Sequence, residues 1–162
     1  MIQEETPRHS VSVAAAIVND AGQVLAIRRR DNSRWEPPGG VLELDETIED
    51  GLRREVREET GLEIEIERLT GIYKNMPRGI IALVFCCRPA AGSLRLGEET
   101  LDASWLSPAQ LAERMAPAYA IRLLDAIRQG PALIRSHDGI DLLSTDGGSD
   151  TTRADAPSPG GG

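Results

Sequence analysis

Residues 40–62 have the sequence GVLELDETIEDGLRREVREETGL, and this stretch decides the fold of the chain. Thr47 with Asp50 three residues later predicts the start of a helix, and Gly61 predicts its end. Eight acids and three bases give the stretch a net charge of −5, out of −8 for the whole chain. The stretch is therefore predicted to form an acidic helix between two loops.

Three carboxylates of this helix are predicted to converge. With Glu55 as the reference, Glu58 lies about 60° to one side and Glu59 about 40° to the other. Glu59 also falls within the apolar stripe of Leu52 and Val56, where an unpaired carboxylate is costly. Converging hard oxygen ligands suit Mg²⁺ or Mn²⁺.

The spacing leaves a second interpretation open. A solvated acidic helix, held by Asp50–Arg54 and Arg54–Glu58 pairs, has the same pattern of charges. Gly51 lies one turn before the carboxylates on the same face, and we expect open space there. Spacing alone does not choose between a metal site and a charged surface.

The rest of the chain, with several strands and a few helices, predicts an α+β fold or an α/β/α sandwich. The first two strands are expected to form a hairpin around Asp20-Ala21-Gly22. Ser107 is predicted to cap a short helix that has Pro108 at its first position. Residues 1–143 are assigned to one domain, and residues 144–162, rich in Gly, Pro and Asp, to a flexible tail. Strands are predicted at 10–18, 23–30, 62–73, 80–87 and 101–106, with a short strand in the 90–97 loop, a second helix at 119–129 and a last strand or arm within 131–143.

Composition narrows the class of protein. The chain has 162 residues, 40% of them apolar and 3% aromatic, so an aliphatic core of ordinary size is expected. A net charge of −8 opposes binding to nucleic-acid polymers and anionic membranes. No signal peptide or membrane-spanning run is recognisable, which predicts a cytoplasmic protein. Cys86 and Cys87 are adjacent and are predicted to be buried thiols, not a disulfide.

The same stretch resembles the signature of the Nudix hydrolase family, of the MutT-like kind. Gly40, Glu46, Arg54-Glu55-Val56, Glu58-Glu59 and Gly61-Leu62 match all nine defined positions at the family's spacing. Trp35-x-x-Pro38-Gly39-Gly40 before the stretch and Trp105 after it are also similar to the family. The resemblance implies the α+β Nudix fold, an α/β/α sandwich with a mixed β-sheet. It also implies Mg²⁺-dependent hydrolysis of a nucleoside diphosphate linked to another group, with Mn²⁺ as an alternative ion.

The resemblance also implies roles for individual residues. Arg54 would orient a glutamate, Glu46 would support the site, and Arg29 would meet substrate phosphate. The predicted catalytic residues are Glu55, Glu58, Glu59, Arg54 and Glu99. The general base is predicted to be either a glutamate of the signature or a loop acid, with Glu99 as the first loop candidate and Glu98 as the next. The predicted metal ligands are Gly40, Glu55, Glu58 and Glu59.

The substrate is less specified than the chemistry. Arg28, Arg29, Trp35 and Tyr73 are predicted to hold phosphates or stack on a base, with Arg30, Arg34 and Arg78 as further candidates. Pro77, fifteen residues after Leu62, accompanies ADP-ribose hydrolysis in some family members, but it also fits a plain turn.

These features leave several functions open. ADP-ribose or a nucleotide sugar is slightly favoured as substrate, and a nucleoside triphosphate is next. A non-catalytic, nucleotide-sensing Nudix-like module is the alternative function. A homodimer that uses the segment after Leu106 is compatible with the family.

Overall fold

Eight strands and three helices alternate along the described chain, which in the computed structural model comprises residues 5–144. The predicted 144–162 tail lies almost entirely outside the described residues. The elements are β1 (Ser10–Ile17), β2 (Val24–Arg29), β3 (Trp35–Glu36), β4 (Gly39–Val41), α1 (Ile48–Thr60), β5 (Glu63–Asn75), β6 (Ile80–Ala91), β7 (Thr100–Leu106), α2 (Pro108–Arg114), α3 (Pro117–Ile127) and β8 (Leu133–His137).

Two sheets organise these strands. The larger is mixed, with the order β4-β1-β6-β5-β8; β1 runs parallel to β6, β5 runs parallel to β8, and the other pairs are antiparallel. The smaller is antiparallel, with the order β3-β2-β7. The predicted α+β class and the mixed sheet are confirmed.

Apolar side chains of β1 enter two cores on opposite faces of the large sheet. Val13, Ala15 and Ile17 pack with Leu52 and Val56 of α1. The alternate residues Ala14 and Ala16 pack in the core that contains α2 and α3. Because successive side chains of a strand point to opposite faces, an uninterrupted apolar run such as β1 is stable only between two layers of helix. This arrangement is the predicted α/β/α sandwich.

The predicted β1–β2 hairpin is wrong. The turn forms, since Asn19 N donates to the Gln23 carbonyl over 3.0 Å and Gly22 has φ +74°. Only the Val18–Val24 bridge follows it, and the two strands then enter different sheets. The short strand expected within 90–97 is instead a continuation of β6 to Ala91. A strand that is apolar on both faces gains more from a central position than from a local hairpin.

The ends of α1 follow the sequence prediction. The Thr47 side chain accepts from Asp50 N at 3.2 Å, and Gly61 ends the helix with φ +75°. The open space expected at Gly51 is absent among the described residues, because a Cβ there would lie 2.5 Å from Leu42 Cδ1 and 2.9 Å from Glu46 Oε1. The glycine allows the preceding loop to pack against the helix.

Three further sequence predictions concern the two cysteines, the cap of α2 and membrane-spanning helices. Cys86 and Cys87 are buried free thiols, as predicted, and burial raises the pKa of Cys87 to about 12. Ser107 caps α2 with a reciprocal capping box, as its sequence indicates. Within residues 5–144, none of the helices is long and apolar enough to cross a membrane.

Candidate active site

Two consecutive glycines of β4 bring its backbone against the carboxylates of α1. Gly39 N donates to Glu59 Oε2 over 3.1 Å. A Cβ on Gly40 would lie 2.5 Å from the carboxylate carbon of Glu55, so a larger residue would displace that side chain. Glycine is therefore required here by close approach of the backbone to a functional group.

Arg54 forms hydrogen bonds with three carboxylates of residues 40–62. Its guanidinium donates to Glu46 at 2.7 Å, to Glu55 at 3.0 Å and to Glu58 at 3.3 Å. The hydrogen bond from Arg54 lowers the pKa of Glu46 to about 2. The Arg54–Glu58 pair thus exists, whereas Asp50 lies nearest to Arg53, at 3.8 Å. One arginine holds three carboxylates in place, which is a positioning device more than a surface ion pair.

A cavity of about 530 Å³ opens over this carboxylate face and is called the cleft here. Glu55 and Glu59 line it together with Gly39 and Gly40. Burial raises the pKa of Glu59 to about 8, and burial also raises the pKa of Glu55. A desolvated carboxylate disfavours its charged form unless a cation is near. The cleft is thus built to stabilise positive charge beside Glu55 and Glu59.

Two arginines, Arg29 and Arg30, and two loop acids also line the cleft. Arg29 bonds Asp31 at 2.8 Å and lies 3.5 Å from Glu36. Arg30 holds the loop before β7, because its Nε donates to the Glu98 carbonyl at 2.8 Å and its backbone N donates to the Glu99 carbonyl at 2.9 Å. Both Glu98 and Glu99 line the cleft.

Comparison of the sequence with models of known protein families gives a match over most of the chain. The sequence model of the NUDIX domain family matches residues 8–126, about three quarters of the chain. The chain belongs to the Nudix family. Its membership makes it a Nudix hydrolase of the pyrophosphatase type and favours the enzyme over the sensing module.

Individual relatives agree with the family assignment. The Nudix chain is 57% identical over 143 residues to a MutT-like protein of Streptomyces ambofaciens, an alignment covering 87% of this chain and 93% of the relative. It is 32% identical over 104 residues to an ADP-ribose pyrophosphatase of Methanocaldococcus jannaschii, covering 60% of this chain and 62% of that protein. The crystal structure of an ADP-ribose pyrophosphatase from Streptococcus suis superimposes with a TM-score of 0.66 at 24% identity, covering 80% of this chain and 100% of the other, which shows a shared fold.

Three predicted substrate residues of this Nudix hydrolase are not brought to the cleft. Tyr73 is fully buried and donates to Asp125 at 2.8 Å, so its ring offers no face to a base and the predicted role is corrected. Trp35 packs at the edge of the α2–α3 core, beneath Arg114. Arg28 donates to the Ser33 carbonyl at 3.0 Å. Among the described residues, neither Trp35 nor Arg28 lines the cleft or the neighbouring cavity.

The other candidates divide between two places. Arg29 and Arg30 line the cleft, as described. Arg34 and Arg78 line a second, adjoining cavity. Pro77 lies in the exposed turn between β5 and β6, outside the lining of both cavities described for residues 5–144. Its position agrees with the plain-turn interpretation.

Sequence reasoning missed residues that only the fold brings to the site. Glu36 follows Trp35 on a two-residue strand, and burial raises the pKa of its carboxyl inside the cleft. Asp31 and Thr100 also line the cleft. No local pattern distinguishes these residues from ordinary loop and strand-end residues. Gly39 is the exception, because Pro-Pro-Gly-Gly indicates a backbone that must approach something closely.

In the described part of the chain, the side chains of the cleft are not arranged as a complete metal site, although their chemistry suits a divalent cation. Across residues 5–144, no three carboxylate, histidine or cysteine side chains are close enough together to form a ready metal site. Glu58 points instead to Arg54, and Glu59 accepts from Gly39 N. The chemistry nevertheless fits, because desolvated carboxylate oxygens beside a backbone that only glycine allows are the ligands of a hard cation.

Proposed function

We propose that this Nudix hydrolase cleaves the pyrophosphate linkage of a nucleoside diphosphate derivative and requires Mg²⁺, with Mn²⁺ as a substitute. One observation carries the proposal: Glu55 and Glu59 are two desolvated carboxylates that face the Gly39–Gly40 backbone inside the cleft. A divalent cation bound by these carboxylates would offset their charge and that of the substrate phosphates.

The residues that would hold the ion are Glu55, Glu58, Glu59 and the backbone of Gly40. When bound, a divalent cation offsets the charge of phosphate oxygens and lowers the pKa of a bound water. Arg54 keeps Glu55 and Glu58 oriented, and Arg29, which also lines the cleft, offers a guanidinium to phosphate. The protein's own part is therefore positioning and charge, as expected for phosphoryl chemistry.

Glu99 is proposed as the general base, with Glu98 as the second choice. Both line the cleft, and two hydrogen bonds from Arg30 hold their backbone. A carboxylate on this loop could accept the proton of the attacking water. Glu99→Gln should lower kcat with little change in KM.

For the substrate, ADP-ribose or a nucleotide sugar is proposed first. The support is the relative of Methanocaldococcus jannaschii named as an ADP-ribose pyrophosphatase. A nucleoside triphosphate is the second candidate. The choice of substrate is tested by measuring turnover with Mg²⁺ or Mn²⁺. The compounds to compare are ADP-ribose, nucleotide sugars, nucleoside triphosphates and dinucleoside polyphosphates.

Glu58→Gln tests the proposed metal site. Its side chain is 61% exposed, so the fold should survive, whereas Mg²⁺-dependent turnover should fall by at least about a hundredfold. The matched control is Glu49→Gln, a 63% exposed glutamate on the same helix, which should keep wild-type activity. Undiminished turnover in folded Glu58→Gln would refute the assignment.

The partner proposed for this enzyme is a small nucleotide, not a nucleic-acid polymer, because the net charge of −8 opposes long polyanions. A homodimer also stays a prediction. Size-exclusion chromatography with light scattering would measure the mass of the protein in solution.

A further inference from the structure

A second cavity of about 440 Å³ adjoins the cleft and is called the distal chamber here. It shares Arg29, Glu36 and the two glycines of β4 with the cleft. Its own lining includes Ala14, Arg34, Asn75, Arg78, Tyr119 and Arg122. A substrate whose phosphates lie in the cleft could therefore extend into the distal chamber.

Arg122 of α3 is a buried cation in the wall of this chamber. Its residue is 8% exposed, and its guanidinium lies 4.8 Å from the Tyr119 ring centre and 5.4 Å from that of Tyr73. No carboxylate among residues 5–144 forms a salt bridge with it within 4.0 Å. Its Nε is buried without a hydrogen-bond partner in the same residues. A buried charge in this condition is costly.

His137 does not supply enough hydrogen-bond acceptors for the donors that surround it. Arg122 Nη2 lies 3.1 Å from His137 Nε2, while Gly139 N donates to His137 Nδ1 over 3.0 Å. Burial and then the positive charge of Arg122 lower the pKa of His137, which keeps the ring neutral. A neutral imidazole has one acceptor nitrogen, and two donors face it. One of the two donors therefore lacks an acceptor.

Two more guanidinium groups line the distal chamber without a carboxylate partner. Arg34 and Arg78 form no salt bridge within 4.0 Å among the described residues, and both are exposed. Arg29, in the shared wall, is already paired with Asp31 and Glu36. Four arginines and two carboxylates, Asp31 and Glu36, line the distal chamber, so it carries net positive charge beside a cleft whose lining has more acids than bases.

We propose that the distal chamber binds a phosphoryl group of the substrate that lies outside the scissile linkage, with Arg122 as its buried anchor. The inference rests on the proposed function, since it assigns the far end of that substrate. A guanidinium fork matches phosphate oxygens in geometry and charge. The edge of a neutral base would leave the three arginines uncompensated. The phosphoryl group could belong to a longer polyphosphate chain or to a phosphate monoester on the sugar.

Calorimetric titration with inorganic pyrophosphate in EDTA tests the chamber without turnover. Wild type should bind, and Arg122→Gln should bind about tenfold more weakly or worse. Arg88→Gln, which removes an exposed arginine on β6 outside the chamber lining, should match wild type. Arg78→Gln, at an exposed position of the same lining, should also weaken binding and decides the matter if Arg122→Gln does not fold. No binding by wild type, or wild-type affinity in folded Arg122→Gln or Arg78→Gln, would overturn the proposal.

Turnover with matched substrates then identifies the source of the phosphoryl group. Diadenosine tetraphosphate is compared with diadenosine diphosphate, and ADP-ribose with its 2′-phosphorylated form. Arg122→Gln should raise KM for the phosphate-richer member of one pair by about tenfold more than for its counterpart. An equal rise in KM for both members of each pair would assign Arg122 to another part of the substrate and refute the proposal. If wild type cleaves nothing, the proposed function fails, while the titration still decides the chamber.

Discussion

At the residue scale, burial strongly disfavours the charged form of Glu59, which lines the cleft. Burial raises its pKa to about 8, from an ordinary value of 4.5, although Gly39 N donates to it. The same burial acts on Glu55 and Glu36. A residue placed this unfavourably in the metal-free protein is an expected property of a site that awaits a cation.

We therefore expect the metal-free protein to lose stability as the pH rises. Between about pH 4.5 and 8, the folded state keeps a proton on Glu59 that the unfolded chain has released, so the free energy of unfolding falls across this window. Glu59→Gln should flatten this dependence by an amount on the order of 3 kcal/mol. Urea denaturation in EDTA at several pH values measures it.

The control for this measurement is Glu49→Gln, on the solvent-facing side of the same helix. It should keep the wild-type slope. A slope unchanged by Glu59→Gln would mean that the Glu59 carboxylate is solvated in solution.

At the element scale, the loop between β6 and β7 is shaped by its contact with the end of α1. Gly97 N donates to the Glu59 carbonyl over 3.4 Å, and a Cβ on Gly97 would overlap the Glu58 carbonyl oxygen. Arg95 N donates to the Thr60 carbonyl at 2.8 Å. These contacts determine where Glu98 and Glu99 enter the cleft.

Gly97→Ala should accordingly affect both stability and catalysis. The added methyl group meets backbone, which cannot give way cheaply, so we expect a loss of about 1–3 kcal/mol in the free energy of unfolding. The displaced loop should also lower kcat in the folded fraction. Thermal unfolding and kinetics of the same sample measure both effects.

Leu96→Ala is the comparison for this variant, because Leu96 lies on the same loop and is 42% exposed. It should change stability by less than about 0.5 kcal/mol. Equal behaviour of the two variants would show that the loop adapts to a side chain at position 97.

At the scale of the whole molecule, we expect the large sheet to join the two cores into one cooperative unit, because both pack against it. Leu52 of α1 and Leu123 of α3 are both fully buried, on opposite faces of this sheet. Each truncation to Ala should cost about 2–5 kcal/mol. Because β1 contributes side chains to both cores, each variant should still unfold in a single transition.

Denaturant unfolding followed by far-UV circular dichroism and by Trp fluorescence checks this expectation. Leu44→Ala is the control, since that side chain is fully exposed and its loss should be nearly neutral. Two separate transitions in either core variant would contradict a single domain over the described residues.

The sequence by itself determined α1, its caps and the set of carboxylates, because helix periodicity and capping are local properties. It also determined the class of fold, since long apolar strands between amphipathic helices have few ways to bury both faces. The family signature named Gly40, Arg54 and the glutamates for the same reason: their spacing is fixed along one chain segment.

Only the tertiary structure decided which strands pair and what surrounds the carboxylates. β1 and β2 lie in different sheets because each strand is more stable there than it would be in a hairpin. No local sequence pattern contains that comparison of energies. Tyr73 resembles a base-stacking residue in the sequence, yet it lies in the core on Asp125. Arg122 resembles an ordinary helix arginine, yet the packing of α3 against the large sheet buries it beside the distal chamber. Burial depends on distant segments meeting, and burial is what turns a charged side chain into a binding determinant.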